Sequence, residues 1–214
     1  MSSFLRVPVD APPQQQRRLA ALQREFAAAC NALLPVAREQ RCWNRVALHH
    51  LAYRQLRARF PALGSQMACN AIYSVCRACR RVYQDPGSPY HLQRLGGAEL
   101  PRLKFRDNAP VFFDRHTLSI SQGRVSMFTL DGRMRFELGL GPDDETRFRT
   151  RKLREIVLSS ERGRYWLTFV FASDDAGGEP TDADAASQWP EYVLVAPGAD
   201  AARAPDEAPR PHPA

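Results

Sequence analysis

The chain has 214 residues, of which 44% are hydrophobic, and this is enough for one large core or two small ones in an ordinary globular protein. No stretch approaches the roughly 18 uncharged apolar residues that a membrane span requires, and the first residues lack the basic and then apolar run of a signal peptide. These features exclude a membrane-spanning helix and predict a soluble, cytoplasmic protein.

The formal charge of +7 is distributed unevenly along the chain. Residues 1–172 contain 28 basic and 14 acidic side chains, a net charge of +14, whereas residues 173–214 carry a net charge of −7. All of the 28 cations except Lys104 and Lys152 are arginines, whose planar guanidinium group pairs with phosphate and stacks on bases. A nucleic acid is the partner that this composition predicts.

Five cysteines, an odd number, are present in a chain with cytosolic features, so disulfides are not expected. Cys76 and Cys79 form a C-x-x-C pair, but no second pair lies at the spacing of a zinc site, and both continue the apolar face of a helix. We therefore predict buried thiols and neither a metal nor a cofactor.

The first elements predicted are a short strand and a long helix. Phe4 to Val9 alternates as a strand does, and the prolines after Asp10 fit the first turn of a helix. Apolar residues then recur at steps of three and four from about residue 14 to residue 39, with Pro35 expected to kink or end the helix.

A second helix is predicted after Asn44, which can cap it. Its apolar face contains Leu48, Leu51 and Leu56, and it ends before Pro61 because the residue before a proline avoids the helical region.

A third helix has the clearest helical period of the chain. Ser65 is its predicted cap, and Arg77, Arg80 and Arg81 are expected on the side away from its apolar face. A loop rich in glycine and proline, residues 85–99, follows it.

From Leu100 the period becomes that of strands. Gln122-Gly123, Asp131-Gly132 and Glu161 to Gly163 are expected to form hairpin turns, because their glycines accept a positive φ, and a polar segment at 142–152 separates two hairpins. The predicted fold class is α+β, with a small antiparallel β-barrel and a three-helix insertion after its first strand.

Three regions follow from this pattern. Residues 1–12 and 100–172 form the barrel, residues 13–99 form the helical insertion with its linker, and residues 173–214 form an acidic tail rich in alanine and proline. The tail is expected to be mostly disordered, because it buries too little apolar surface to offset its ordering entropy, with residues 192–195 as a short docking strand.

Several stretches of the chain carry a family resemblance. They are FPALGSQMACNAIYSVCRACRRVYQ, LPRLKFR, FDRHTLSISQGRVSMFTLDGRMRFELGL and RGRYWLTFVF. In their order and spacing these stretches, which fall within residues 4–172, resemble the N-terminal half of TnpB-type proteins, the OrfB family of transposon-encoded RNA-guided nucleases.

The resemblance implies that the barrel is a wedge domain and that the helices are a recognition lobe. Together these parts would hold a structured guide RNA and the RNA–DNA duplex and read a short motif in the target DNA. By the same resemblance Ser65, Gln66, Cys69 and Asn70 lie at the start of the helix that approaches the motif duplex. The alternative for Ser65 and Gln66 is that they only cap and solvate this helix.

Cations on the helices, the strands and the polar segment are predicted to contact phosphate. Arg133 and Arg135 alternate along one strand, as Arg102, Lys104 and Arg106 do along another, so each set shares a face. The full set of predicted contacts is Arg77, Arg80, Arg81, Arg102, Lys104, Arg106, Arg124, Arg133, Arg135, Arg149, Arg151 and Lys152. Trp43, Tyr53, Tyr73, Tyr83 and Phe105 are candidates for base stacking, with a place in the core as the alternative for each.

Catalysis by this chain is not expected. Members of the family continue into a nuclease fold with metal-binding carboxylates and a four-cysteine zinc element, whereas here Asp174 and Asp175 lie in an acidic stretch flanked by glycine. The resemblance therefore implies a nucleic-acid-binding, transposase-like fragment that does not cut, or half of a split enzyme whose nuclease subunit is a separate chain. The alternatives are a decayed transposase remnant without a ligand and a generic basic RNA-binding β-barrel module.

Overall fold

Helices occupy most of the first half of the chain in the computed structural model, which describes residues 4–172 and 192–196. The helices are α1 (Pro13–Glu39), α2 (Arg45–Arg59), α3 (Gly64–Tyr83), α4 (Leu92–Leu95) and α5 (Pro142–Thr150), with a 3-10 turn at Pro61–Leu63. None of these helices is both long and apolar enough to cross a bilayer.

Helix α1 has the predicted bounds to within one residue. Its buried stripe includes Leu19, Leu22, Phe26 and Leu33, each of which is at most 2% exposed. Pro35 lies inside the helix, which continues to Glu39, so of the two predicted alternatives, a kink or an end, the end is wrong. The ring of Pro35 is exposed, and solvent can therefore accommodate the local loss of one backbone hydrogen bond.

The start of α2 is confirmed, and the start of α3 is corrected. Asn44 accepts hydrogen bonds from the backbone N–H groups of Val46 and Ala47 at 3.0 and 3.1 Å. Ser65 does not cap α3: the helix begins one residue earlier, at Gly64, and no side chain caps it. Leu51, predicted on the apolar face of α2, is 48% exposed. Only Leu48, Ala52 and Leu56 of α2 are buried, because this short helix contacts its neighbours along a narrow stripe.

The described strands form three separate antiparallel sheets, and none of them closes into the expected barrel. One sheet has the order β1-β8-β7-β3, a second pairs β2 with β9, and a third has the order β4-β5-β6. The strands are β1 (Phe4–Val9), β2 (Arg102–Phe105), β3 (Val111–Phe113), β4 (Leu118–Ser121), β5 (Arg124–Thr129), β6 (Gly132–Glu137), β7 (Leu153–Glu161), β8 (Arg164–Phe171) and β9 (Val193–Ala196). Mixed helices and antiparallel sheets, the coarser part of the prediction, are confirmed.

The predicted turns and the docking strand are present. Gly123, Gly132 and Gly163 all have positive φ, as the hairpins require. Residues 193–196 pair with β2 in the register Phe105↔Val193, so the short strand expected near residue 192 exists. The residues of the predicted tail other than 192–196 lie outside the described part of the chain.

Asn31 of α1 forms hydrogen bonds with the backbone of β2 on the edge that does not pair with β9. Its side-chain amide donates to the carbonyl of Phe105 at 3.0 Å and accepts from the N–H of the same residue at 2.7 Å. We expect Asn31→Ala to lower the free energy of unfolding by about 1–3 kcal/mol, because two backbone groups would lose their partners. Urea denaturation of this variant beside Asn108→Ala, whose side chain is exposed, measures the effect; equal losses would contradict this role for Asn31.

Helix α5 lies in the segment that the sequence predicts only as a polar connection. Pro142 begins it, acidic residues fill its first turn, and Arg147 and Arg149 fill its last, which matches the helix dipole. Its one aromatic side chain, Phe148, contacts the rings of Phe169 and Phe171 on β8 at 4.9 and 5.2 Å between centroids. A single apolar anchor is too weak a signal for a helical period.

The cysteines are free, and their burial predicts their reactivity. Cys30, Cys76 and Cys79 are buried, while Cys42 and Cys69 are half-buried. Burial raises the pKa of Cys76 to about 11 and raises those of Cys30 and Cys79 further. At about pH 8 we expect only Cys42 and Cys69 to react with an aromatic disulfide reagent in the native protein, and all five after unfolding in urea. Five fast thiols in the native protein would contradict this packing.

Candidate nucleic-acid interface

One face of the three-stranded sheet β4-β5-β6 is open and carries arginines and serines. Strand alternation places Arg124, Ser126 and Phe128 of β5 on this face, and the register pairs Ser126 with Arg135 and Phe128 with Arg133. The opposite face is buried through residues such as Met127 and Met134. We call the open face, formed by Ser119, Ser121, Arg124, Ser126, Phe128, Arg133, Arg135 and Glu137, the basic sheet face.

Acidic residues of this hairpin do not neutralise the basic sheet face. Asp131, in the β5–β6 turn, is bound instead by Arg18 of α1 at 2.7 Å. The hydroxyl of Thr129 and the guanidinium of Arg18 lower the pKa of the Asp131 carboxyl. Glu137 meets Arg124 at 3.5 Å, but both side chains are about 80% exposed, and such pairs contribute little.

Arg133 is held flat against the basic sheet face. Its Nε donates to the hydroxyl of Ser126 at 2.8 Å, and one terminal nitrogen donates to the Ser126 carbonyl at 2.6 Å. The other terminal nitrogen donates to the carbonyl of His116 at 3.3 Å. These contacts fix the guanidinium plane without a neutralising carboxylate, which suits stacking on a base or pairing with phosphate.

The start of α3 adjoins the basic sheet face. Gln66 donates a short hydrogen bond to the carboxylate of Asp114, which also accepts from the N–H groups of His116 and Thr117 in the turn before β4. The ring of Phe128 lies 3.6 Å from the position that a Cβ on Gly64 would occupy. The structure therefore brings together two predicted groups, the polar start of α3 and the strand arginines.

Gly64 makes this approach possible. Its φ of 69° and ψ of 164° lie in a region that only glycine adopts readily. We expect Gly64→Ala to reduce the free energy of unfolding by about 1–3 kcal/mol from backbone strain alone, because a Cβ would meet the Phe128 ring only at an ordinary contact distance of 3.6 Å. Thermal unfolding of this variant measures the loss, and Gly139→Ala is its control, because nothing lies within 4 Å of a Cβ at Gly139 and its φ is ordinary. A loss of similar size in both variants would contradict the assignment to Gly64.

The four predicted motif-reading residues have different environments. Ser65 is exposed and Gln66 is half-buried beside Asp114. Cys69 is half-buried, and desolvation raises its pKa although Arg45 and Arg57 oppose this.

The prediction for Asn70 is corrected. Its side chain is only 8% exposed and donates to the backbone carbonyl of Phe112 at 2.9 Å. Asn70 therefore ties α3 to β3, because an amide on the buried side of the helix must pair with a strand carbonyl and not with a base edge.

The three arginines in the second half of α3 are also corrected, since they are half-buried against the protein and not on an open face. Arg77 pairs with Glu155 at 3.0 Å, with its guanidinium 5.5 Å from the Phe112 ring. Arg81 pairs with Asp85 at 3.3 Å, and the Nε of Arg80 is buried without a hydrogen-bond partner among the described residues.

Other predicted cations lie on exposed surfaces of different elements. Arg102, Lys104 and Arg106 are exposed on the outer side of β2, as the alternation predicts. A third exposed set lies at the end of α5 and the start of β7. Its members are Arg147, Arg149, Arg151 and Lys152. Their predicted contact with phosphate stays a prediction.

The aromatic residues named as stacking candidates mostly belong to the core. Trp43, Tyr83 and Phe105 are at most 7% exposed. Tyr53 is half-buried and stacks on His49 at 4.4 Å. Phe128, which was not among these candidates, is half-buried on the basic sheet face, where the alternation of β5 places it on the same side as Arg124.

Among residues 4–172 and 192–196, no group of three or more His, Cys, Asp or Glu side chains is arranged to hold a metal ion. Asp174 and Asp175 lie outside this part of the chain. No protein-family model matches the chain, and no curated protein resembles it closely enough to be identified as a relative. The resemblance to TnpB-type proteins therefore stays a prediction.

Proposed function

We propose that the protein binds RNA through the basic sheet face and the adjoining start of α3. The observation that carries this proposal is the set of three arginines on one open face, Arg124, Arg133 and Arg135, among which the described residues place a single exposed carboxylate, Glu137. Asp131, which could have neutralised them, is bound by Arg18 on another side of the hairpin. An uncompensated cationic face of a rigid sheet is suited to a phosphate backbone.

Affinity and selectivity would come from different parts of this surface. The arginines contact phosphates, which gives binding energy with little choice of sequence. The serine hydroxyls of the face and the exposed Ser65 are short donors and acceptors that can meet bases or the 2′-hydroxyl of RNA. Gln66 is engaged by Asp114, so it would have to exchange this partner to read a base.

The resemblance supports a finer version of the proposal. In it the sheets play the part of a wedge domain, the RNA is a structured guide, and the complex recognises target DNA without cutting it. Ser65 and Gln66 would then lie near the duplex that carries the target motif. A nuclease, if one acts with this protein, would be a separate subunit.

Sequencing of the RNA that copurifies at moderate salt tests the proposal. We expect one structured RNA species with the wild-type protein, and we expect its yield to fall strongly in the triple variant in which Arg124, Arg133 and Arg135 become Gln. The control is a triple variant with the same charge change, Arg41, Arg54 and Arg59 to Gln, at exposed positions on and before α2. A mixture of unrelated RNAs would favour a generic RNA-binding module, and RNA-free protein would favour a remnant without a ligand. Equal losses in the two variants would overturn the choice of the sheet face.

A further inference from the structure

A cleft of about 490 Å³ lies between the start of α1 and the turn that joins β7 to β8. Arg17 lines it from the helix, Arg162 from the turn and Tyr165 from β8. A second hollow of about 450 Å³ shares Gln16, Gly163 and Tyr165 with the first and adds Arg164. We call Arg17, Arg162 and Arg164 the cleft arginines. None of the residues of the basic sheet face lines either hollow.

The described part of the chain does not neutralise the cleft arginines. Within the described ranges, no carboxylate forms an ion pair with any of them. Glu161, the acid next to the turn, is held by Arg6 at 2.5 Å. Of the described residues that line the two hollows, Asp10 in the second is the one carboxylate. Three cations thus face one carboxylate, an excess that favours an anionic ligand.

The backbone at Arg162 is an unusual place for an arginine. Arg162 and Gly163 have φ values of 48° and 80°, the left-handed pair that a two-residue hairpin turn of this type needs. Glycine or asparagine adopts the first of these positions more easily than arginine does. Gln122 and Gly123 in the β4–β5 turn have nearly the same φ values, 49° and 71°, so such a turn tolerates a long side chain, and at the β7–β8 turn that side chain is an arginine that lines the cleft.

We infer that this cleft binds the phosphate monoester of a nucleotide, either free or at the end of a strand. A monoester carries nearly two negative charges at neutral pH, and a diester carries one, so the monoester better matches the two arginines that line the first hollow, with Arg164 in the adjoining one. The volume is in the range of about 300–1,000 Å³ that small-ligand sites occupy. Asn108, which lines the first hollow, and the Tyr165 hydroxyl are neutral donors for the same group. This inference does not rest on RNA binding at the basic sheet face.

Nuclear magnetic resonance of the full chain, labelled with ¹⁵N, tests the site with four probes. They are inorganic phosphate, adenosine monophosphate, and a short oligonucleotide with either a 5′-phosphate or a 5′-hydroxyl group. We expect the first three probes to shift the amide signals of Arg17, Gly163 and Tyr165. If adenosine monophosphate and the phosphorylated oligonucleotide bind equally well, the ligand is a free nucleotide. If the phosphorylated oligonucleotide binds more tightly than both adenosine monophosphate and the 5′-hydroxyl oligonucleotide, the ligand is the end of a strand. The inference would be overturned if the signals of these residues did not shift. It would also be overturned if the two oligonucleotides bound equally well and adenosine monophosphate did not bind.

Two substitutions separate binding from folding. Arg162→Gly removes a cleft arginine and relieves its backbone, so the melting temperature should stay the same or rise while affinity for the nucleotide falls about tenfold or more. Arg17→Gln should weaken the same probe, whereas Arg54→Gln on α2 and the triple variant of the basic sheet face should not. Unchanged affinity in both Arg162→Gly and Arg17→Gln, or an equal loss in Arg54→Gln, would contradict the site.

Discussion

The affinity of the protein for structured RNA is expected to fall by about 10³- to 10⁵-fold between about 50 and 200 mM salt, if six to ten of its cations contact phosphates. The physical reason is that each phosphate contact releases a condensed counterion, and this release becomes less favourable as the salt concentration rises. Exposed cations without a described carboxylate partner, such as Arg135, Arg102 and Arg151, are numerous enough for this count. Fluorescence anisotropy with the copurified RNA at several salt concentrations measures the slope.

The variants of the sheet face make this measurement specific. The variant in which Arg124, Arg133 and Arg135 become Gln should lose three phosphate contacts. The slope of the logarithm of the binding constant against the logarithm of the salt concentration should then become less steep by about two to three units. The matched variant at Arg41, Arg54 and Arg59 has the same net charge as the sheet-face variant but an intact sheet face, and we expect it to keep the wild-type slope because its phosphate contacts are unchanged. A slope of the wild-type protein that is nearly flat would mean that phosphate contacts do not carry the binding.

Truncation of Phe169 is expected to reduce the free energy of unfolding by about 3–5 kcal/mol. Phe169 is completely buried on β8, which pairs with β1 on one side and with β7 on the other. Its ring also contacts Phe148, the apolar anchor of α5. Phe169→Ala would therefore leave a cavity in the sheet and weaken the docking of α5 as well. This loss is a large fraction of the roughly 5–15 kcal/mol that stabilises an ordinary domain.

A second Phe→Ala substitution, on the other face of the sheet that contains β8, is the control. Phe4 lies on β1 and is 57% exposed, so Phe4→Ala should change the free energy of unfolding by less than about 0.5 kcal/mol. Urea denaturation followed by circular dichroism gives both values. Similar losses in the two variants would mean that the inner face of this sheet is not the core that the structure shows.

Elements with local signals could be predicted from the sequence. The helical period gave α1, the side chain of Asn44 identified the start of α2, and glycines at 123 and 163 marked hairpin turns, because each of these features acts within a few residues. Even the strand at 193–196 was visible as an apolar run in a polar segment.

Features that depend on distant partners could not be predicted in this way. Asn70 looked like a surface amide until the carbonyl of Phe112 was placed opposite it. The same holds for Arg77, whose partner Glu155 is 78 residues away. The division of the strands into three sheets depends on pairings between distant segments, and alternation reports which side of a strand is apolar but not which strand it joins.

The basic sheet face illustrates both cases. Alternation placed Arg133 and Arg135 on one side of their strand, and burial agrees with it. Nothing local indicated that Arg18 would bind Asp131 and so leave those arginines uncompensated. The cleft arginines were missed for the same reason, although an arginine before the glycine of a tight turn was a signal that the sequence offered.

The pairing of β1 with β8 sets an order of events during synthesis. Phe4 lies opposite Val170, so the first strand has no neighbour until almost the whole described chain has left the ribosome. At ordinary translation rates this interval is roughly 10 to 30 s, long enough for the three long helices to assemble on one another first. The nascent protein therefore carries an unpaired strand for most of its synthesis. Arg6 and Pro8 on that strand, a charge and a residue without a backbone N–H group, disfavour its pairing with strands of neighbouring chains.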